Sequence, residues 1–213
     1  MDDALILDRD AGALYDARGM QFSPRERQWA TTADAPAVPP GEHVSLAEAV
    51  RWLQRESGHP LRVPIGVIGP RAATAAQLAA AETLGEGLAT RGYAVVCGGR
   101  EGVMEAVCRG VAARGGIAVG LTPDADPALA NPHAAIVLAT GIGEARNAII
   151  ARASFCLIAV GDSHGTLSEV ALGLHFGKTV IGLAGAALLA GVETVATVDD
   201  ALSRVDRLTL ALA

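Results

Sequence analysis

Two patterns of apolar and polar positions divide the chain. From about Val63 onward, short apolar runs alternate with longer segments whose apolar residues recur every three or four positions. VPIGVIG predicts a strand, and ATAAQLAAAETLGEGLATRG a helix stopped at Gly92. YAVVC predicts a strand, GVMEAVCRGVAARGG a helix with a Gly-Gly stop, and IAVGL a strand. After a loop rich in Pro, Asp and Asn, AAIVLA predicts a strand and EARNAIIARA a helix. FCLIAV and KTVIGLA predict strands on either side of the helix TLSEVALGLHFG, and VDDALSRVDRL closes the chain as a helix. The strands are short, β-branched and apolar throughout, which predicts a sheet covered on both faces. Strands joined through helices require a parallel sheet with right-handed crossovers. The expectation is an α/β fold: a Rossmann-like, doubly wound parallel sheet of about six to seven strands with helices on both faces. Its ligand belongs beyond the carboxyl ends of the strands.

Residues 1–60 follow a different pattern and read as an N-terminal extension to a domain over 61–213. LILDRDAGALYDARG predicts a hairpin turning near Asp10, Ala11 and Gly12. TTADAPAVPPGEH, with three prolines, predicts a linker. Ser45-Leu-Ala-Glu48 is a capping box opening the short amphipathic helix SLAEAVRWLQRE, with Val50 and Leu53 or Leu46 and Trp52 as apolar contacts. Gly58 and Pro60 end it. No chemistry attaches to this extension; docking or a subunit contact is its default role.

Composition narrows the function classes. Hydrophobic residues make up 51% of the 213-residue chain and aromatics 3%, which suits small side chains at close helix–sheet contacts. A net charge of -6 argues against general nucleic-acid binding. No apolar run approaches the ~20 residues of a membrane span. The acidic start MDDALILDRD lacks the basic region and apolar core of a signal peptide. Together these predict a soluble cytoplasmic protein that binds neither nucleic acid nor membrane. Cys97, Cys108 and Cys156 show no zinc spacing and read as buried reduced thiols; no metal site is expected.

Two glycine clusters fall at strand ends before helices. One is Cys97-Gly98-Gly99-Arg100-Glu101-Gly102; the other is Gly161-Asp162-Ser163-His164-Gly165-Thr166. Glycine permits close approach of a ligand to bare N–H groups, and a helix N-terminus adds partial positive charge. Each cluster taken alone reads equally well as a tight turn; the pair predicts an anion site. Gly177-Lys178-Thr179 resembles a P-loop tail, but it follows a helix and enters a strand, the reverse of what a P-loop needs. The dinucleotide fingerprint is absent after the first strand, which ends in Gly69-Pro70-Arg71, and no acidic residue follows the second to hold a ribose. An NAD dehydrogenase is therefore not expected.

The run CGGREGVMEAVCRGVAARGG resembles the GGGxxGLM segment of LOG-type proteins, formerly labelled lysine decarboxylase-like, and GDSHGTLSEV resembles their PGGxGTxxE. Between them, TGIGEARNAIIARASFCLIAV occupies the place of the family's helix with an Arg-Lys pair. The resemblance spans roughly residues 63–210, and the TGxGxARN and GTLSE forms look nearer to the molybdenum-cofactor carrier branch than to the plant-type enzymes. It implies that Gly98, Gly99 and Gly102 match the first motif, Arg146 the arginine of the pair, and Gly165, Thr166 and Glu169 the end of the second. Asn147 stands in place of the lysine, Gly161 in place of the proline, and Asp162 and Ser163 in place of two glycines. In LOG enzymes the Arg and Glu positions serve hydrolysis of a nucleoside 5′-monophosphate to base and ribose 5-phosphate. In the carriers a similar fold holds molybdenum cofactor, a pterin with a phosphate. The resemblance further implies a homo-dimer or tetramer.

These parallels assign Arg146 and Glu169 as catalytic candidates. Gly98, Gly99, Gly102, Thr140, Asn147, Gly161, Ser163, His164, Gly165 and Thr166 are candidates for holding the phosphorylated small molecule, with molybdenum cofactor as one bound cargo. Glu169 would stabilise a cationic sugar-like transition state or activate water, and Arg146 would hold that carboxylate or grip a phosphate. Dipole complementation for Glu169 and a structural ion pair for Arg146 are the alternatives. Thr122 and Pro123 end the strand IAVGL at the pocket wall, and Asn131 and His133 flank predicted strand ends. Asp162 conflicts with a phosphate cradle. Two unit charges about 6 Å apart repel by roughly 3 kcal/mol at an effective dielectric near 20, against ~0.3–2 kcal/mol from a helix terminus. Either Asp162 turns away to bond Thr166 or a loop N–H, or the phosphate sits elsewhere, or the family ligand is lost. The reading is a ligand-binding protein of carrier type, with a phosphoribohydrolase and an oligomerising module with a vestigial pocket as alternatives.

Overall fold

The computed structural model describes residues 4–31 and 39–212, so part of the expected proline-rich linker, residues 32–38, lies outside the described residues. The chain forms two units: residues 1–61 with 203–213, and residues 62–202.

The first unit contains more sheet than a hairpin. Strands β1 (Leu5–Asp8) and β2 (Ala13–Asp16) pair antiparallel, as the hairpin pattern predicts. Three further strands, β3 (Gln21–Ser23), β4 (Gln28–Ala30) and β5 (Glu42–Val44), complete a five-stranded sheet in the order β4-β3-β2-β1-β5. Each has three residues, too few for alternation to reveal, and each depends on pairing with a neighbour for its backbone bonds. Helix α1 (Leu46–Arg55) starts at the expected box: Ser45 Oγ accepts from Glu48 N–H, and the Glu48 carboxylate accepts from Ser45 N–H. Val50, Trp52 and Leu53 are buried.

The second unit is built on a seven-stranded parallel sheet. Its strands are β6 (Ile65–Ile68), β7 (Val95–Cys97), β8 (Ala118–Thr122), β9 (Ile136–Ala139), β10 (Leu157–Val160), β11 (Val180–Leu183) and β12 (Val192–Thr194). The order is β12-β11-β10-β6-β7-β8-β9, and every pairing is parallel. Helices α2 (Ala75–Arg91) and α3 (Val103–Ala113) follow β6 and β7 as the sheet grows one way. Helix α5 (His164–His175) follows β10 as it grows the other way. Right-handed crossovers put these two sets on opposite faces. Helix α4 (Arg146–Ala153) carries the return from edge strand β9 to β10 and packs with α5. The last helix, α6 (Val198–Thr209), begins in this unit and ends in the first. The core is aliphatic, with Ile68, Leu157, Ile150 and Val180 all but inaccessible.

Two expectations need correction. Not every strand is covered on both faces: Ile136 and Leu138 of β9 are 47% and 50% exposed, because β9 ends the sheet. The edge strand β12 was also missed, since three residues with two exposed carry no apolar run.

Candidate functional site

The chain runs outward from β6 through β7 and β8 to β9, then returns to lay β10 against the other side of β6. Neighbouring connections therefore diverge above β6 and β10, and a crevice opens at their carboxyl ends. There lies a cavity of about 460 Å³ lined by Ile68–Ala72 after β6, Gly98, Arg100 and Met104 after β7, and Pro123 after β8. Glu144, Arg146 and Asn147 around the start of α4 complete the lining, with Asp162, Ser163, Gly165, Thr166 and Glu169 on α5 and the turn before it. The two glycine clusters thus meet in one hollow.

Arg146 and Glu169 hold its floor. Arg146 Nη1 donates to Asn147 Oδ1 at 2.8 Å and to Glu169 Oε1 at 3.2 Å. Asn147 Nδ2 donates to Ser168 Oγ, and Ser168 Oγ donates to Gly165 O, so α4 and α5 share one polar network. Arg146 Nε is buried and has no hydrogen-bond partner. Burial raises the Glu169 carboxyl to about 7, with Glu144 adding to the rise and Arg146 opposing it. A carboxyl poised near neutrality both donates and accepts protons at physiological pH.

Gly98 makes room for this pair. A Cβ there would sit 2.5 Å from Arg146 Nη2 and 2.6 Å from Met104 Sδ, so the guanidinium rests directly on bare backbone. Arg100 is ion-paired with Asp124, and its buried Nε, which makes no hydrogen bond, lies 3.8 Å from the Glu101 carboxylate. Asn131 Nδ2 donates to Arg100 O and fixes that loop. Arg71 pairs with Glu101 at 3.3 Å in a largely exposed position.

The turn into α5 is closed by Ser163, not Asp162. Ser163 Oγ accepts from Thr166 N–H at 3.1 Å and shares a hydrogen bond with Thr166 Oγ1 at 2.8 Å. The capping role foreseen as one option for Asp162 therefore belongs to its neighbour, and Asp162 is an exposed residue lining the cavity.

Of the sequence candidates, Gly98, Arg146, Asn147, Ser163, Gly165, Thr166 and Glu169 line the cavity. Gly99, Gly102, Thr140, Gly161 and His164 lie outside the lining. Gly99 packs against Gly120 and Thr122, and Gly102, at φ 71°, packs under the Pro70 and Arg71 carbonyls. Thr140 Oγ1 donates to Thr122 O. Gly161, at φ 73°, leaves space for the Gln77 side chain, and His164 is exposed at the start of α5. Sequence reasoning missed Gly69–Ala72, Arg100, Met104 and Glu144. The loop after the first parallel strand was findable, since a doubly wound sheet places its crevice there. Glu144 sits in a short 3-10 turn that carries no sequence signal.

Cys97, at the end of β7, lies 3.5 Å from Cys108, sulfur to sulfur. Their mutual hydrogen bond and burial push the Cys97 thiol well above its ordinary range. The same hydrogen bond and one from Asn131 lower Cys108 against its burial. All three cysteines are buried, and no group of three or more potential metal ligands exists among the described residues. No helix among them is long and apolar enough to cross a membrane.

The model of the SLOG cluster4 family matches residues 62–209. The molybdenum cofactor binding protein of Rippkaea orientalis superposes with a TM-score of 0.66 at 33% identity, covering 70% of this chain and 98% of that one. A Moco carrier protein structure from Chlamydomonas reinhardtii superposes at 0.64 with 35% identity, covering 71% and 100%. An uncharacterised protein of Archaeoglobus fulgidus is 37% identical over 139 residues, 65% of this chain and 91% of its own. The family match spans the second unit and α6.

Proposed function

The chain belongs to the SLOG cluster4 family, and from that premise we propose that its cavity binds a phosphorylated heterocycle of molybdenum-cofactor type and carries it unchanged. The observation that carries this reading is Arg146: a guanidinium on the floor of a 460 Å³ hollow, buried, with Nε unpartnered. A buried guanidinium beneath a hollow costs stability, and a ligand anion lying against it would offset that cost. The similarity to two proteins described as molybdenum cofactor binder and carrier supports the choice of cargo. Arg146, Asn147, Ser163, Gly165, Thr166 and Gly98 would hold the ligand. The ligand is a small molecule, in keeping with an acidic chain, and the protein would act in the cytoplasm as a homo-dimer or tetramer. Mass spectrometry of small molecules released from purified protein tests the reading. A phosphorylated pterin or related heterocycle should appear, and Arg146→Met should release none. Equal recovery from both proteins would refute it.

A second reading rests on Glu169. A carboxyl near pH 7 beside an arginine is what hydrolysis of an N-glycosidic bond requires of an acid–base group. If the protein is a nucleoside 5′-monophosphate phosphoribohydrolase, it releases free base from a nucleotide panel and Glu169→Ala abolishes release. No base from any nucleotide excludes hydrolysis and leaves the carrier.

A further inference from the structure

Asp162 is the anomaly of the cavity. It lines a hollow that holds three arginines and two other carboxylates, Glu144 and Glu169, and among the described residues it has neither a hydrogen bond nor an ion pair, because Ser163 performs the capping that its position suggests. It is not part of a cation cage, since no cluster of three candidate ligands exists among the described residues. It needs no special backbone conformation either, as its φ is not positive. The positive end of α5 favours a negative side chain there. A carboxylate so placed repels a phosphate and attracts N–H donors.

Strand order sets where each would lie. Asp162 follows β10, whereas the Arg146 guanidinium rests on Gly98, just after β7, and β6 lies between this outer pair of strands in the order β10-β6-β7. Two strand spacings, roughly 10 Å, separate the outer pair at the backbone. That is comparable to the length of a heterocyclic monophosphate. Arg71 and Arg100 already face the carboxylates of Glu101 and Asp124, which leaves Arg146 as the cation on the cavity floor. The charges therefore orient a ligand: phosphate toward Arg146, heterocycle edge toward Asp162.

Resting on the binding reading above, we propose that Asp162 is a specificity-determining residue that selects heterocycles with a 2-amino-4-oxo edge, the ring N–H and exocyclic amino group shared by pterin and guanine. A carboxylate accepts both hydrogens in parallel. Adenine offers a ring acceptor at the matching place, which would face the carboxylate without a proton between them. A site built to accept such donors rejects analogues lacking them strongly.

Calorimetric titration of the full chain with GMP, a pterin monophosphate and AMP tests this, in wild type and in Asp162→Asn. Wild type should bind GMP or the pterin at least on the order of tenfold tighter than AMP, and whichever binds tighter identifies the ring system. Asp162→Asn should bring the three within about threefold of one another while AMP holds its affinity or gains. Binding without preference in wild type, or a variant that shifts all three by one factor, overturns the inference and leaves the binding reading standing. Binding of none of the three overturns both.

Discussion

Arg146 and Glu169 meet at 3.2 Å with both side chains only 7% exposed, an ion pair between two helices on the floor of the cavity. Its members are unequal. Burial raises the Glu169 carboxyl to about 7, and the neighbouring guanidinium pulls against that rise. A ligand phosphate that draws on Arg146 weakens the one attraction holding Glu169 down.

Stability should fall with rising pH because of Glu169. Its folded-state value lies above the ordinary 4.5, so the native state binds a proton that the unfolded chain has already released. The contribution is complete below pH 4.5 and is lost as pH rises through about 7. Relative to Glu169→Gln, which keeps the neutral form, wild type should lose about 3 kcal/mol between pH 4.5 and 8. Urea unfolding of both proteins at the two pH values measures this. Parallel pH profiles would contradict it.

Gly98→Ala should harm binding more than folding. The added methyl would lie 2.5 Å from Arg146 Nη2 and 2.6 Å from Met104 Sδ, and both are ends of side chains that can swing. The expected stability cost is about 1–2 kcal/mol. Ligand recovery should fall as for Arg146→Met, because the guanidinium leaves the floor. Full ligand content in the variant would show that the position of Arg146 is not fixed by this contact.

Gly102→Ala should be worse for the fold, and Gly115→Ala supplies the control. Both glycines have positive φ, at 71° and 65°. A Cβ at Gly102 would strike the Pro70 and Arg71 carbonyls, while one at Gly115 meets nothing within 4 Å. The backbone strain alone costs about 1 kcal/mol or more. The denaturation midpoint should therefore drop further for Gly102→Ala. Equal drops would mean that the loop after β6 yields freely.

Thiol reagents should find no cysteine in the native protein. Cys97, Cys108 and Cys156 are buried. A chromogenic thiol assay should read near zero until denaturant is added, then register all three. Rapid labelling of Cys108 alone would mean that α3 opens locally.

Much of this was legible beforehand, for identifiable reasons. The parallel strands β6, β7, β8, β10 and β11 are apolar runs bounded by glycines or helical segments, so their periods stand out. The box at Ser45 depends on bonds within four residues and needs no partner from afar. Strands β3, β4, β5 and β12 are three residues each and exist because neighbours pair with them. For the site, glycines signalled where loops bend but not what fills the space beside them. At Gly102 that space holds the backbone of the β6 loop, and at Gly98 it holds a guanidinium.

The sequence alone determined the alternation of strand and helix, the helix starts and the residue types brought to the strand ends, because these depend on interactions short along the chain. Tertiary structure decided which loops share a hollow and that Glu169 is raised to about 7. Each of these depends on strand order and on burial. Both arise from contacts between residues far apart in the chain, which no local pattern encodes.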